Sequence, residues 1–437
     1  MEIATLYKLF QENQNISTDT RNILPGCLFF ALRGATFNGN LFAEKALELG
    51  ASFAVVDEPI SVENKRIVRV SDVLETLQAL ARYHRDQLKI PIVGVTGTNG
   101  KTTTKELLQA VLSQKFNTYA TKGNLNNHIG VPLSILAIKS NTELAIIEMG
   151  ANHIGEIAFL CGISKPGLGL ITNVGKAHLE GFGSFEGVKK AKGELYDWLE
   201  GHEGVLFLQG DNSHLLSMAN NRSFKQILTY GLDEANNISG ELLSINPVLK
   251  LCWRSVKAYG CDSQLVSTNL TGSYNLENVL AAVAVGLYFG LRPEEINRGI
   301  ERYTPTNNRS QIMRTNKNTV ICDYYNANAS SMWAALDNLE SLEADQKVSI
   351  LGDMYELGNE APDEHRRLIA RVHAMPLSRK IFIGKNFFEQ RQDTDNVEYY
   401  ESLDAAQKAL EKKPLENTTI LLKASRGMAF EGLLQYL

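Results

Sequence analysis

The chain has 437 residues, 44% hydrophobic and 21% charged, an ordinary globular composition in a polymer too long for one core. Lys and Arg number 44 against 49 Asp and Glu, a formal net charge of −5, which excludes the basic excess of a dedicated nucleic-acid surface. Five scattered cysteines (Cys27, Cys161, Cys252, Cys261, Cys322), never spaced C-x-x-C, exclude a disulfide framework and a zinc site and fit a reducing cytoplasm.

The opening "MEIATLYKLFQENQ" has no basic stretch followed by an apolar one, so no secretory signal is read there. Short apolar runs at Leu28–Phe30, Phe53–Val56 and Ile67–Val70 predict strands, and residues 71–88 predict a helix; Lys89, Ile90 and Pro91 form a linker. A strand at Ile92–Val95 then meets a glycine loop and a helix over 103–113, with Leu107, Leu108, Val111 and Leu112 on one face. Further strands end at Ile147 and Ile171, with others at 205–208 and 227–229 and a helix over 276–289. The apolar stretch at 279–291 is shorter than the ~20 residues a membrane span needs and predicts a buried helix.

"RYTPTNNRS" (302–310) reads as a second linker. Beyond it come strands at 319–322, 348–351, 381–383 and 419–422, alternating with helices near 331–340, 363–372, 403–410 and 428–436. The alternation predicts an α/β chain with parallel, doubly wound sheets, divided at 1–88, 89–303 and 304–437.

"VGVTGTNGKTTTKE" (93–106) departs from the common phosphate-loop pattern G-x-x-x-x-G-K-S/T, which would put glycine where Val95 stands. The glycines are Gly94, Gly97 and Gly100, followed by Lys101 and Thr102. Between a strand and a helix, such a loop offers backbone N–H groups to phosphate oxygens; Lys101 can reach the terminal phosphates and the Thr102 hydroxyl can ligate Mg²⁺. "ELAIIEMGANH" (143–153) supplies the acid a metal site needs, Glu148, at a strand end. "ITNVGKAHLEGFGS" (171–184) puts His178 beyond another strand of the same sheet, where a metal or phosphate role and a plain loop residue are both open. Lys192, in "FEGVKKAKGELYDWL", reads from the string alone as part of the solvated face of an amphipathic helix. No GTPase-type N-K-x-D string is present. Asp353 and Glu356, in "DMYELG", and His365 read as a loop and helix start, with substrate contact open for Asp353.

"GTNGKTTTKE", "EMGANHIGEI" and "NVGKAHLEGFGS" together resemble the Mur ligases, ATP-dependent amide ligases of bacterial peptidoglycan synthesis, whose loop has the form G-T-N-G-K-T. The resemblance extends over the chain through "STDTRNILPGCLFFALRGATFNGNLF" (17–42), "KGNLNNHIGVP" (122–132), "LTGSYNLENVLAA" (270–282), "DYYNANASSMWAAL" (323–336), "LGDMYELGNEAPDEH" (351–365) and "KASRGM" (423–428). It implies three domains: an N-terminal one for a UDP-linked substrate, a central P-loop ATPase domain, and a Rossmann-like C-terminal domain. The Y-N-A-N and L-G-D-M-x-E-L-G strings imply a ligase that adds D-alanyl-D-alanine to UDP-N-acetylmuramoyl-tripeptide, as a cytoplasmic monomer with no nucleic-acid or membrane partner. A diamino-acid-adding or folylpolyglutamate-type ligase, and a non-catalytic nucleotide-binding scaffold, are the alternatives.

By the same resemblance, Gly97, Thr98, Asn99, Gly100, Lys101, Thr102 and Thr103 would hold ATP, with Asn275, Arg309, Asp323 and Asn326. Thr102, Glu148, His178 and a carbamate (from CO₂) on Lys192 would hold Mg²⁺; Lys101, His178 and Lys192 would be catalytic. Thr18, Asp19, Thr20 and Arg21 would face the uridine nucleotide, Asn126 and Asn127 the sugar-peptide, and Lys423, Ser425 and Arg426 the dipeptide. Where the family commonly reads D-D-S-Y-N-A-N-P, this chain has Cys322, Asp323, Tyr324, Tyr325, Asn326, Ala327, Asn328 and Ala329. The family's D-G-H is Asn38, Gly39 and Asn40 here, and its T-D-S-R is Thr18, Asp19, Thr20 and Arg21.

Overall fold

The computed structural model describes every residue except 14, 61–63, 178, 257–262, 393 and 395. Its strands form three sheets, each within one of the three predicted segments. In the first, strands Ile16–Ser17, Leu28–Phe30, Phe53–Val56 and Ile67–Arg69 pair in that order, all parallel. Helix Val73–Gln87 closes this unit, its first turn capped by the Asp72 carboxylate, which accepts the Glu75 N–H at 2.7 Å. Its apolar stripe (Val73, Leu77, Leu80, Ala81) packs into the same core as Ile135, Leu136 and Ile147 of the central unit. The two units therefore share one core. His84 reinforces the seam, with one ring nitrogen 3.1 Å from the Tyr7 hydroxyl and the other 3.2 Å from the Ile138 carbonyl.

The central sheet has nine strands, in the order 264–267, 250–255, 238–244, 226–231, 205–209, 168–171, 92–96, 144–148, 118–120. Strands Ile92–Thr96, Leu144–Glu148 and Leu168–Ile171 are buried along their whole length. A parallel sheet covered on both faces needs such unbroken apolar runs rather than alternation. Helices Lys101–Leu112 and Asn275–Tyr288 cover one face. One part departs from the expected parallel arrangement: strands 238–244, 250–255 and 264–267 form an antiparallel ribbon on the sheet's edge. Their exposed outer residues, such as Leu243 and Leu265, weaken the alternation by which such strands are read.

The C-terminal sheet has six strands, in the order 311–314, 319–323, 419–423, 347–352, 379–383, 397–400, parallel except for the first pair. The helix expected over 428–436 is a correction. Residues Arg426–Met428 and Phe430–Tyr436 form two 3₁₀ stretches, separated by Ala429 at φ +51°. The buried Phe430 and Leu433 stand three apart, the repeat a 3₁₀ turn places on one face.

Candidate active site

Three parallel strands side by side bring the chemistry to one edge. Strand Ile92–Thr96 lies between Leu144–Glu148 and Leu168–Ile171, with Val95 opposite Glu148 and Thr96 opposite Ile171. The glycine loop therefore emerges beside Glu148 on one side and residues 172–177 on the other. Gly97 takes φ +144°, and a Cβ there would lie 2.0 Å from Thr172 Oγ1. Gly100 takes φ +79°, with Asn278 Oδ1 2.7 Å from where its Cβ would be. Only glycine fits either position.

Lys101 Nζ donates to the Gly97 and Thr98 carbonyls, both at 2.8 Å, so its amine is curled against the loop it starts from. Burial pushes its pKa down to about 8, against the opposing pull of Glu148; Arg309 adds to the lowering. The Thr102 hydroxyl donates to Glu148 Oε1 at 3.2 Å, and Asn126 Nδ2 donates to the same oxygen at 2.8 Å. Glu148 Oε2 is buried and has no hydrogen-bond partner among the described residues. A hydroxyl beside a carboxylate with one oxygen unspoken for is a hard-oxygen donor set of the kind Mg²⁺ prefers, completed by phosphate oxygens and water. Among the described residues no three His, Cys, Asp or Glu gather into a metal cluster.

Lys192 overturns the reading of its string as a solvated face: it is 2% exposed. Helix Phe185–Gly201 buries Val188, Lys192, Leu195, Tyr196 and Leu199, and the lysine falls on that i, i+4, i+7, i+8 stripe. That spacing was the available signal. Its Nζ lies 3.4 Å from the Ala151 carbonyl and 5.3 Å from the Phe182 ring centroid. Burial first, then the Lys101 charge, push its pKa down to about 7, against Glu156 and Glu194.

The C-terminal unit supplies the opposite wall. Arg309 stacks on Tyr325, its guanidinium carbon 3.8 Å from the ring centroid, and its buried Nε has no partner among the described residues. Lys423 Nζ donates to Asp323 Oδ2 at 2.6 Å and reaches the Asn326 carbonyl at 3.4 Å. A cavity of about 710 Å³ runs between the walls, lined by Thr98 to Thr103, Asn126, Asn127, Glu148 and Asn275 on one side, and by Arg309, Asp323, Asn326 and Lys423 on the other.

Other expected residues lie outside that lining. Thr18, Asp19, Thr20 and Arg21 follow the first strand of the N-terminal sheet, where Asp19 caps a 3₁₀ turn and binds the exposed Arg21 guanidinium. Ser425 Oγ accepts the Tyr355 N–H at 2.9 Å, and Arg426 pairs with Glu431 at 3.2 Å. His178 lies outside the described residues. Asp353, left open for substrate contact, is buried and accepts the Asn386 and Phe387 N–H groups, both at 3.0 Å, at the start of helix Lys385–Glu389. The sequence reading missed Asn278, which binds the Thr104 hydroxyl at 3.0 Å and Asn275 at 2.9 Å. It also missed Asn328 and Ser330, which reach the glycine loop from over two hundred residues away.

Models of the Mur ligase family's domains match along the chain: the catalytic domain at 12–86, the middle domain at 95–286 and the glutamate ligase domain at 308–426. The UDP-N-acetylmuramoyl-tripeptide--D-alanyl-D-alanine ligase of Bacillus subtilis is 35% identical over 434 residues, covering 96% of this chain and 92% of that protein. The chain belongs to the Mur ligase family. The ligase of the same name from Escherichia coli is 33% identical, with 97% and 93% of the two chains covered. The three-domain fold of this chain is similar to that of the MurF crystal structure from Acinetobacter baumannii, with a TM-score of 0.84 at 28% identity over 98% of this chain and 97% of that one.

Proposed function

We propose that this Mur ligase forms the amide bond between UDP-N-acetylmuramoyl-tripeptide and D-alanyl-D-alanine, using ATP, in cytoplasmic peptidoglycan precursor synthesis. The observation that carries the reading is the cavity in which Lys101, Thr102 and Glu148 face Arg309, Asp323 and Lys423 across two domains. The full-length relatives that carry this name support the choice of substrates. Among the described residues no helix is long and apolar enough to cross a membrane. We place the domain limits at 1–88, 89–303 and 304–437.

A carboxylate and an amine do not condense unaided, because the departing oxygen must first become a leaving group. Phosphoryl transfer from ATP to the tripeptide carboxylate makes an acyl phosphate, which the dipeptide amine then attacks. Gly97, Thr98, Asn99, Gly100 and Thr103 would cradle the phosphates, Lys101 would swing from its own loop carbonyls onto them, and Arg309 would reach them from the other wall. Asn275, Asp323 and Asn326 would line the rest of the nucleotide. Thr102 and Glu148, with His178, would hold Mg²⁺, which when bound neutralises charge on the transferring phosphoryl group.

Lys192, buried and with its pKa pushed down to about 7, would present a substantial neutral-amine fraction to CO₂, and the carbamate so formed would offer a further carboxylate to the metal. Asn126 would act by orienting Glu148, with Asn127 beside it toward the acceptor. Thr18, Asp19, Thr20 and Arg21 would face the uridine end, and Lys423, Ser425 and Arg426 the dipeptide. Mass analysis of the product tests the reading. With ATP and Mg²⁺ the expected product is the UDP-tripeptide heavier by the dipeptide less one water, with one ADP and one phosphate per bond. ATP consumption without that product contradicts it.

A further inference from the structure

The glycine loop is gripped by the C-terminal unit through a closed ring of side chains. Asn99 Nδ2 donates to Ser330 Oγ at 2.8 Å, Ser330 Oγ donates to Asn328 Oδ1 at 2.9 Å, and Asn328 Nδ2 donates back to Asn99 Oδ1 at 2.9 Å. Each of the three groups both gives and receives. Asn328 Oδ1 also accepts the Ser331 N–H at 2.9 Å, so the amide that caps helix Ala329–Ser341 is the one that holds the loop. The contact is close: a Cβ on Gly175, in the loop bonded to Thr98 Oγ1, would lie 3.2 Å from Ser330 Oγ. Further along, the helix is fastened to the central unit again, where Asn338 Nδ2 donates to the buried Thr271 hydroxyl at 3.1 Å.

These two fastenings differ in what they touch. Thr271 precedes helix Asn275–Tyr288 and lies outside the cavity lining, whereas Asn99 belongs to that lining. The Lys176–Glu360 ion pair also crosses between the units, at 3.5 Å, but both side chains are about half exposed and such pairs contribute little.

We propose that the Asn99–Ser330–Asn328 ring is a positioning latch: it holds the C-terminal wall, with Arg309, Asp323 and Lys423, against the glycine loop, and so sets the fraction of molecules ready to bind nucleotide. This rests on the proposed nucleotide site. Apparent affinity scales with the fraction of molecules in the competent arrangement, so weakening the latch at Ser330, which lies outside the cavity lining, weakens nucleotide binding without touching the nucleotide.

Ser330→Ala removes the ring's hydroxyl and leaves the cap intact. Asn328→Asp keeps a capping carboxylate and replaces the donor to Asn99 with an acceptor. The expected result is a ~5- to 20-fold weaker dissociation constant for ADP with Mg²⁺ by calorimetry in both variants, the scale of one or two lost hydrogen bonds. Small-angle scattering of the nucleotide-free variants should give a larger radius of gyration, returning toward wild type when ADP and Mg²⁺ saturate. For Ser330→Ala, KM for ATP should rise by the same factor, with kcat within about twofold of wild type and thermal unfolding unchanged. Unchanged ADP affinity and scattering in both variants overturns the latch, as does a fall in kcat with KM unmoved. If the wild-type protein binds ADP but forms no amide bond, the proposed reaction fails while calorimetry and scattering still decide the latch.

Discussion

Two lysines are equally hidden from solvent, Lys423 in the cleft wall and Lys192 behind the lining residue Ala151, at 2% exposure each, yet their surroundings differ. Lys423 has the Asp323 carboxylate 2.6 Å away. Lys192 has only a backbone carbonyl at 3.4 Å and an aromatic face, with no carboxylate in hydrogen-bond range among the described residues. A buried amine matched by a carboxylate is held in place by that ion pair. One without such a partner gives up its proton easily, and that is the chemical prerequisite for adding CO₂. Burial alone does not tell these two lysines apart; the partner does.

Removing each lysine sharpens the contrast. Lys192→Ala should lower turnover by about 10³-fold, the upper range for losing one preorganised charge-stabilising group, with partial rescue by added formate or acetate. Activity that persists without rescue sinks the carbamate reading. Lys423→Met should instead destabilise the fold by about 3 kcal/mol in denaturant titrations, because Asp323 is left enclosed without its cation. No small carboxylate should restore it.

pH separates Lys192 in a second way. Its amine loses its proton near 7 in the folded chain and near its ordinary 10.5 when unfolded. Between those values the unfolded chain holds the extra proton, so stability rises with pH, and this contribution is absent at and below about 7. Denaturant midpoints measured from pH 7 to 9 should therefore climb more steeply for wild type than for Lys192→Met; equal slopes would contradict the assignment. Turnover should rise through the same pH region as the neutral amine accumulates. The smallest effect is expected at Lys176→Ala, where loss of the exposed pair to Glu360 should change KM for ATP by less than about threefold.

The sequence disclosed what depends on local strings. The glycine loop, Glu148 at its strand end and most strands and helices follow from spacing and apolar runs within a dozen residues. The burial of Lys192 was legible too, on the stripe with Val188, Leu195, Tyr196 and Leu199, but a lysine in a charged string reads as solvated unless that stripe is weighed first. The bond between Asn126 and Glu148 and the ring joining Asn99 to Ser330 and Asn328 were not legible, since they join segments that only the folded chain brings together. The 3₁₀ ending escaped for a different reason: its apolar residues fit either helix, and the left-handed Ala429 carries no sequence signal of the kind glycine would give.

The most direct test of the central claim is ADP release from the purified chain with ATP, Mg²⁺ and UDP-N-acetylmuramoyl-tripeptide, with and without D-alanyl-D-alanine. Release that requires the dipeptide is the predicted result. No release with the dipeptide, but release with a diamino acid and the shorter UDP-linked dipeptide, would contradict it.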